Sequence, residues 1–550
     1  MFAKNTRFIK QSVRQFNYLN KKLLLDLANY NAVSSNLRNG TINLVQVNWT
    51  KFRRQHKTVT GMIPPDEFRR EVAQYDPTTL LQMCSHASRK LEQSGQIMRQ
   101  GTLNGQNAIV THHALAELAM WAIRNHPQAG GKQPSPRDVI RLANNIYSIQ
   151  DPFLGTKAGG IMTLVRTLHE QAPYEEQLQY LIPRHIILYL ESKPPQLAFD
   201  LDSAFQRVTG LTVKEFMMIG FIFYAATLAY HSFQRGFVED TQVKSLKPYV
   251  SPEKVDAFLA VAGADFQTFR NLRLKEERDA PGFGRYTFNP LLGRPVIQLS
   301  NGLVCVPVPR LLIYRITRGI YYDLLDAHRQ PQGNVFADWF GYAFQQYIGI
   351  LLNEAFGHDK VYPEVAGVDW VVILGDTALV LECRSGRLPK KIRSQADRTE
   401  VMEMIRRNIV DPAKKLPEKI KKLYEGVAGI PTGKVKTYLA AIVTYQEWYP
   451  TVLTLDLVKQ ELKQIDAEDF RFDLMSAEDI EWLLSWAQYE DPVVVLQERR
   501  NDAAGRGLPV GQYVGLRATR KGITEINNKL LSAKRAEYLG EILPEPEGQN

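Results

Sequence analysis

Up to about residue 290 the apolar positions of this chain recur at helical spacing. "DPTTLLQMCSHASRKL" opens with Asp76 as N-cap and Pro77 at the first helical position, and "SPRDVIRLANNIYSI" repeats that logic with Ser135 and Pro136. "HALAELAMWAIRN" has helical apolar spacing, and Ser251 starts a further helix. Thr212 and Glu215 fit a capping box in front of "FMMIGFIFYAATLAY" (216–230). That run is shorter than the roughly 20 residues a bilayer span requires, so it predicts a buried core helix. Near 290 the pattern changes. "RPVIQLSNGLVCVPVP" alternates around Asn301–Gly302 and predicts a hairpin, and "RLLIYRITRGIYYDLLD" predicts one long helix after it.

Beyond the expected linker "HRQPQGN" (328–334) the predicted order is helix (336–354), strand (369–374), strand (378–384), helix (398–425), strand (436–445), helix (456–464). This is an α/β arrangement around a small mixed sheet. The fold class expected is therefore α+β or α/β, with a large, mostly helical N-terminal region ahead of it. The segment "DWVVILGDTALVLECRSG" (369–386) carries charges where a buried strand has no use for them. Gly375–Asp376 is its only turn signal, and a two-residue loop there pairs Leu374 with Thr377 and sets Asp369 opposite Glu382. Arg384 falls on the same side as Glu382, and Cys383 on the other. Facing carboxylates at this spacing repel and call for compensation. A hard divalent cation supplies it, since Mg²⁺ takes one or two carboxylates together with water and phosphate.

The arrangement resembles the PD-(D/E)xK nuclease superfamily, the restriction-endonuclease-like fold, over roughly residues 335–465. The family pattern is a helix, a hairpin bearing Asp and then Glu-x-Lys, another helix and another strand. Asp369 matches the metal-binding Asp, Glu382 the Glu, and Arg384 stands where the Lys belongs. The resemblance implies Mg²⁺ or Mn²⁺ on Asp369 and Glu382, with Arg384 stabilising the phosphate during phosphodiester hydrolysis, of DNA rather than RNA. It also implies an auxiliary ligand on the preceding helix, where Gln345 and Gln346 stand. Arg for Lys is not conservative, because guanidinium is always charged and forks to phosphate whereas ammonium is a compact charge with a tunable pKa. Two readings stay open: an active nuclease, of the kind joined to helical halves in bacterial anti-phage effectors, or an inactive nuclease fold that binds nucleic acid or scaffolds a partner.

Composition changes this picture only slightly. A formal charge of +10 favours polyanionic partners. The cations past the motif, Arg387, Lys390, Lys391, Arg393 and Arg398, are the expected phosphate contacts, with "KKLPEKIKKL" (414–423) and the tail residues Arg499, Arg500, Arg506, Arg517 and Arg520 as extensions. The three cysteines form no CxxC pair, which argues against a zinc ribbon and for a reducing compartment, the cytoplasm. The acid-free first 25 residues also suit a transit peptide or a basic surface helix. "GIPTGKV" has the wrong spacing for a phosphate loop. His112, His113 and Glu117 are expected to form a polar helix start. The division expected is a basic arm (1–60), a helical domain (61–330) suited to a protein partner, a nuclease-like domain (331–490) and a basic extension (491–550). No membrane association is expected.

Overall fold

The computed structural model describes residues 63–387 and 398–542, except for 95–97, 104–105, 126–130, 151–171, 175, 177, 240–245, 280–285, 300–301, 449–451, 465–469, 503–504 and 524–525. The protein is a mixed α/β molecule. The basic arm, Lys390, Lys391 and Arg393 lie outside the described residues, and Arg398 is placed only as the first residue of a helix.

Helix starts follow the capping residues. Thr79 donates to Asp76 Oδ1 at 2.7 Å. Ser135–Asp138 and Thr212–Glu215 close capping boxes, and Ser251 caps the helix at Pro252. The apolar helix Val213–Thr227 is buried except at Lys214 and Glu215. Among the described residues no single helix is long and apolar enough to cross a membrane. The helices Leu201–Thr209 and Val213–Thr227 pass that test only as a pair, bent by 57°. The expected helix over 310–326 is broken at Thr317, whose hydroxyl donates to the Ile313 carbonyl at 2.5 Å.

The C-terminal half is built on one five-stranded sheet. Helix α1 (Val335–Phe356) precedes β1 (Val361–Val365), β2 (Val368–Leu374) and β3 (Thr377–Arg384). A helical crossover ending in α2 (Asp411–Tyr424) leads to β4 (Thr437–Thr444), and β5 (Phe472–Ser476) runs directly into α3 (Ala477–Trp486). The strand order is β5-β4-β3-β2-β1, antiparallel among β1, β2 and β3 and parallel among β3, β4 and β5. Leu374 pairs with Thr377 and Trp370 with Leu381. Gly375, at φ +65°, takes the turn conformation that glycine adopts without a Cβ penalty.

Alternation divides the sheet between two cores. Val372, Leu379, Leu381, Cys383, Ala441 and Val443 face α1 in the larger apolar cluster. Val371, Ile373, Val380, Ala440 and Ile442 face α2 and the helix before it. The larger cluster draws on residues either side of 328–334, Leu324 and Tyr321 before it and Phe336 and Phe340 after it, so that segment is a tight turn flanked by one core. Its Gln330–Gly333 bridge and the Asn334 bond to the Leu325 carbonyl hold it closed. The chain beyond 491 is likewise built in: Val510, Val514, Leu531 and Leu539 belong to that cluster.

Trp370 seats α1 on the sheet. Its indole donates to the Gln345 carbonyl at 2.9 Å, and a Cβ on Gly349 would lie 2.1 Å from the ring. Gly349→Ala should therefore cost about 1–3 kcal/mol through overpacking. A urea denaturation midpoint equal to that of the parent would show that Trp370 is not wedged there.

Candidate functional site at the end of the central hairpin

Asp369 and Glu382 come together as the hairpin register requires, on the face covered by α2. Burial leaves Glu382 3% exposed. Asp369 accepts the Cys383 backbone amide on Oδ2 at 2.6 Å. Glu382 is held from two directions: Arg384 Nη2 reaches Oε1 at 2.6 Å, and Lys419 Nζ on α2 reaches Oε2 at 2.7 Å. Two carboxylates thus meet two cations and the formal charges cancel. Burial first, and then the neighbouring Glu382, raise the Asp369 carboxyl to about 6, against the pull of the Cys383 amide, Arg384 and Lys419.

Lys419 is the residue that strand-based reasoning missed. It sits in "KKLPEKIKKL", the run expected to extend the phosphate contacts. Its helical repeat carried the signal: Leu416, Ile420 and Leu423 are buried, and Lys419 lies next to that stripe. The rest of the run follows the solvated pattern, with Lys422 on Glu418 at 2.9 Å and Lys414 on Glu461 at 2.8 Å. Lys415 and Lys421 are exposed.

Gln345 and Gln346 do not join the pair. Helix α1 lies against the opposite face of the sheet, with Trp370 and Leu381 rather than with Asp369 and Glu382. Gln346 Oε1 accepts the Lys193 backbone amide at 2.9 Å. The auxiliary ligand expected from this helix is therefore absent among the described residues, because alternation sends the helix to the wrong side.

Arg387 is also not a surface phosphate contact. It is 6% exposed, its guanidinium carbon 3.8 Å from the Tyr321 ring centre, 4.1 Å from Tyr445 and 5.0 Å from Phe340. Nη1 donates to the Arg318 carbonyl at 3.1 Å. Cation–π attraction replaces the anion expected there. On the other side of the chain, a Cβ at Gly386 would lie 1.8 Å from Asn408 Oδ1. The strand end that carries Arg384 is thereby fixed from both faces of the sheet.

The tail arginines are structural too. Arg499 and Arg500 each pair with Asp473 of β5 at 2.7 Å, and Arg517 pairs with Glu490 and Glu498. Arg506 and Arg520 remain exposed.

Two further buried polar clusters lie outside the site. Arg184 forks onto Glu481 of α3 at 2.6 and 2.7 Å, and Tyr347 of α1 donates to the same carboxylate at 2.5 Å. Glu481→Leu would strand Arg184 in the core, a loss of about 3–5 kcal/mol. Thermal unfolding of that variant tests it: an unchanged midpoint would contradict the pairing. The second cluster replaces the polar helix start expected at 112–117. His112, 1% exposed, bonds Ser88 Oγ through Nδ1 at 2.7 Å and lies 3.4 Å from Glu92, which pairs with Arg310. Burial and Arg310 hold this imidazole well below its ordinary pKa, hence neutral. Glu117 accepts from Asn289 at 2.8 Å.

Among the described residues no group of three or more His, Cys, Asp or Glu side chains is placed to hold a metal ion. The hairpin pair offers two carboxylates, with Asp369 Oδ1 outside the hydrogen bonds of the site. That donor set suits a hard cation that keeps water and takes a substrate phosphate oxygen, and does not suit zinc. No protein-family model matches the sequence, and comparison with curated proteins and with solved structures finds no match.

Proposed function

We propose that residues 335–486 form a PD-(D/E)xK-type nuclease domain that hydrolyses phosphodiester bonds, DNA before RNA, with Mg²⁺ or Mn²⁺. The observation that carries this is the juxtaposition of Asp369, Glu382 and an ammonium, Lys419, at one point of the sheet. The sheet order around it, with an antiparallel hairpin followed by a parallel crossover strand, supports the same reading. Asp369 and Glu382 would hold the cation, which when bound supplies charge stabilisation and acidifies water. Arg384, a third of its side chain in solvent, forks to a phosphate oxygen. Lys419 supplies the compact positive charge that an arginine at 384 does not, positioning water beside the phosphorus. In hydrolysis the water oxygen bonds to phosphorus and the bond to the leaving sugar oxygen breaks. One water proton ends on that oxygen.

The test is incubation of the whole chain with supercoiled plasmid, single-stranded DNA and RNA in Mg²⁺, Mn²⁺ or EDTA. Metal-dependent chain cleavage is expected, fastest on DNA. One observation favours a second reading: both oxygens of Glu382 are already neutralised by Arg384 and Lys419. A nuclease fold that binds nucleic acid without cutting would show salt-sensitive binding that persists in EDTA and survives Asp369→Asn.

A further inference from the structure

Every strong acceptor of the site but one is committed. Glu382 Oε1 is held by Arg384, Oε2 by Lys419, and Asp369 Oδ2 by the Cys383 amide. A dication entering this neutral, largely buried cluster would leave two uncompensated positive charges beside a carboxylate that is 3% exposed. Charge buried without compensation is heavily penalised. One of the two cations must therefore release Glu382 first. They are not equivalent. Arg384 keeps 33% of its side chain exposed against 18% for Lys419, and it alone carries a planar fork matched to phosphate.

We infer that Arg384 is a lock on Glu382 which a nucleic-acid phosphate opens, so that cation binding at the Asp369–Glu382 pair follows phosphodiester binding. This rests on the nuclease reading above and adds an order of assembly to it. When a phosphate oxygen takes the Arg384 guanidinium, Oε1 of Glu382 is released and joins Oδ1 of Asp369. Each carboxylate would then offer one oxygen, and the phosphodiester supplies one of the two negative charges that a dication needs. Lys419 stays on Oε2 and keeps Glu382 from swinging away. Linkage makes the effect reciprocal: nucleic acid tightens the metal by the factor by which the metal tightens nucleic acid. The consequence is a site that does not load cation while idle.

The measurement is Mn²⁺ binding to the whole chain, followed by loss of the free-ion EPR signal, with and without a short phosphorothioate duplex. Mn²⁺ taken up by the duplex alone is subtracted. Wild type should bind Mn²⁺ weakly alone and at least about tenfold more tightly with duplex, within the usual range of coupling between sites. Arg384→Gln should bind Mn²⁺ at least about tenfold more tightly than wild type without duplex, and gain little when duplex is added. Arg384→Lys keeps the charge on Glu382 and should bind Mn²⁺ as weakly as wild type when no duplex is present. Circular dichroism melting checks that each variant is folded. If Arg384→Gln matches wild type without duplex while Asp369→Asn abolishes binding, the metal site stands and the lock is wrong. If Asp369→Asn and Glu382→Gln leave Mn²⁺ binding unchanged in every form, the underlying site assignment fails as well.

Discussion

Asp369→Asn should abolish cleavage and stabilise the protein at the same time. The loss of rate expected is roughly 10²–10⁴-fold, the range spanned by groups that stabilise transition-state charge or transfer protons. The gain in stability follows from the raised carboxyl. Its folded value of about 6 lies above the ordinary 3.8. The folded state therefore binds this proton more tightly than the unfolded chain does. Stability carried by the protonated form is present below about pH 4 and is lost as pH rises through 6, a loss of about 2–3 kcal/mol. Asparagine keeps the acceptor for the Cys383 amide but not the charge, so this pH dependence should vanish. Urea denaturation at pH 5 and pH 8 measures it. The variant should exceed wild type most at pH 8, and a variant less stable than wild type at both values would contradict the electrostatic account.

Lys419→Met should be nearly as damaging to cleavage, at roughly 10²-fold or more. It should also destabilise, because Glu382 keeps only the more exposed of its two partners. The informative variant moves the ammonium. Arg384→Lys in the Lys419→Met background returns a lysine to the strand beside Glu382 and should recover at least about tenfold of the lost rate. Single-turnover cleavage of a labelled duplex separates the rate of chemistry from binding. Equal losses in Lys419→Met and the double variant would remove Lys419 from the reaction and leave it as a tether for Glu382.

The hairpin was legible because a single glycine-containing turn fixes its register. With Gly375–Asp376 as the loop, the facing of Asp369 and Glu382 and the inward turn of Cys383 follow from strand alternation alone. The helix starts at Ser135, Thr212 and Ser251 were equally readable, since capping is local chemistry. What could not be read is what crosses between elements. Lys419 reaches Glu382 from 37 residues away, and although it borders the apolar stripe of its own helix, nothing in that segment identifies its partner. Arg387 looked like the head of a basic surface run, but Tyr321, Phe340 and Tyr445, distant in sequence, enclose it. Arg499 and Arg500 were misjudged for the same reason, because their partner Asp473 lies on a strand that periodicity did not reveal. A signal was present there: Ser476 and Asp479 form a capping box immediately after "FDLM", the pattern of a strand entering a helix. The short edge strand at Val361–Val365 was hidden by Pro363, and by Glu364 and Ala366 at positive φ.

The most direct test of the central claim is plasmid cleavage by wild type and Glu382→Gln side by side, in Mg²⁺, in Mn²⁺ and in EDTA. Glu382 is the side chain on which both cations of the site converge. Nicking or linearisation by wild type in either metal, none in EDTA, and none with Glu382→Gln that circular dichroism shows to be folded is the predicted result. Cleavage that survives Glu382→Gln, or the absence of metal-dependent cleavage of plasmid, single-stranded DNA and RNA alike, would contradict it.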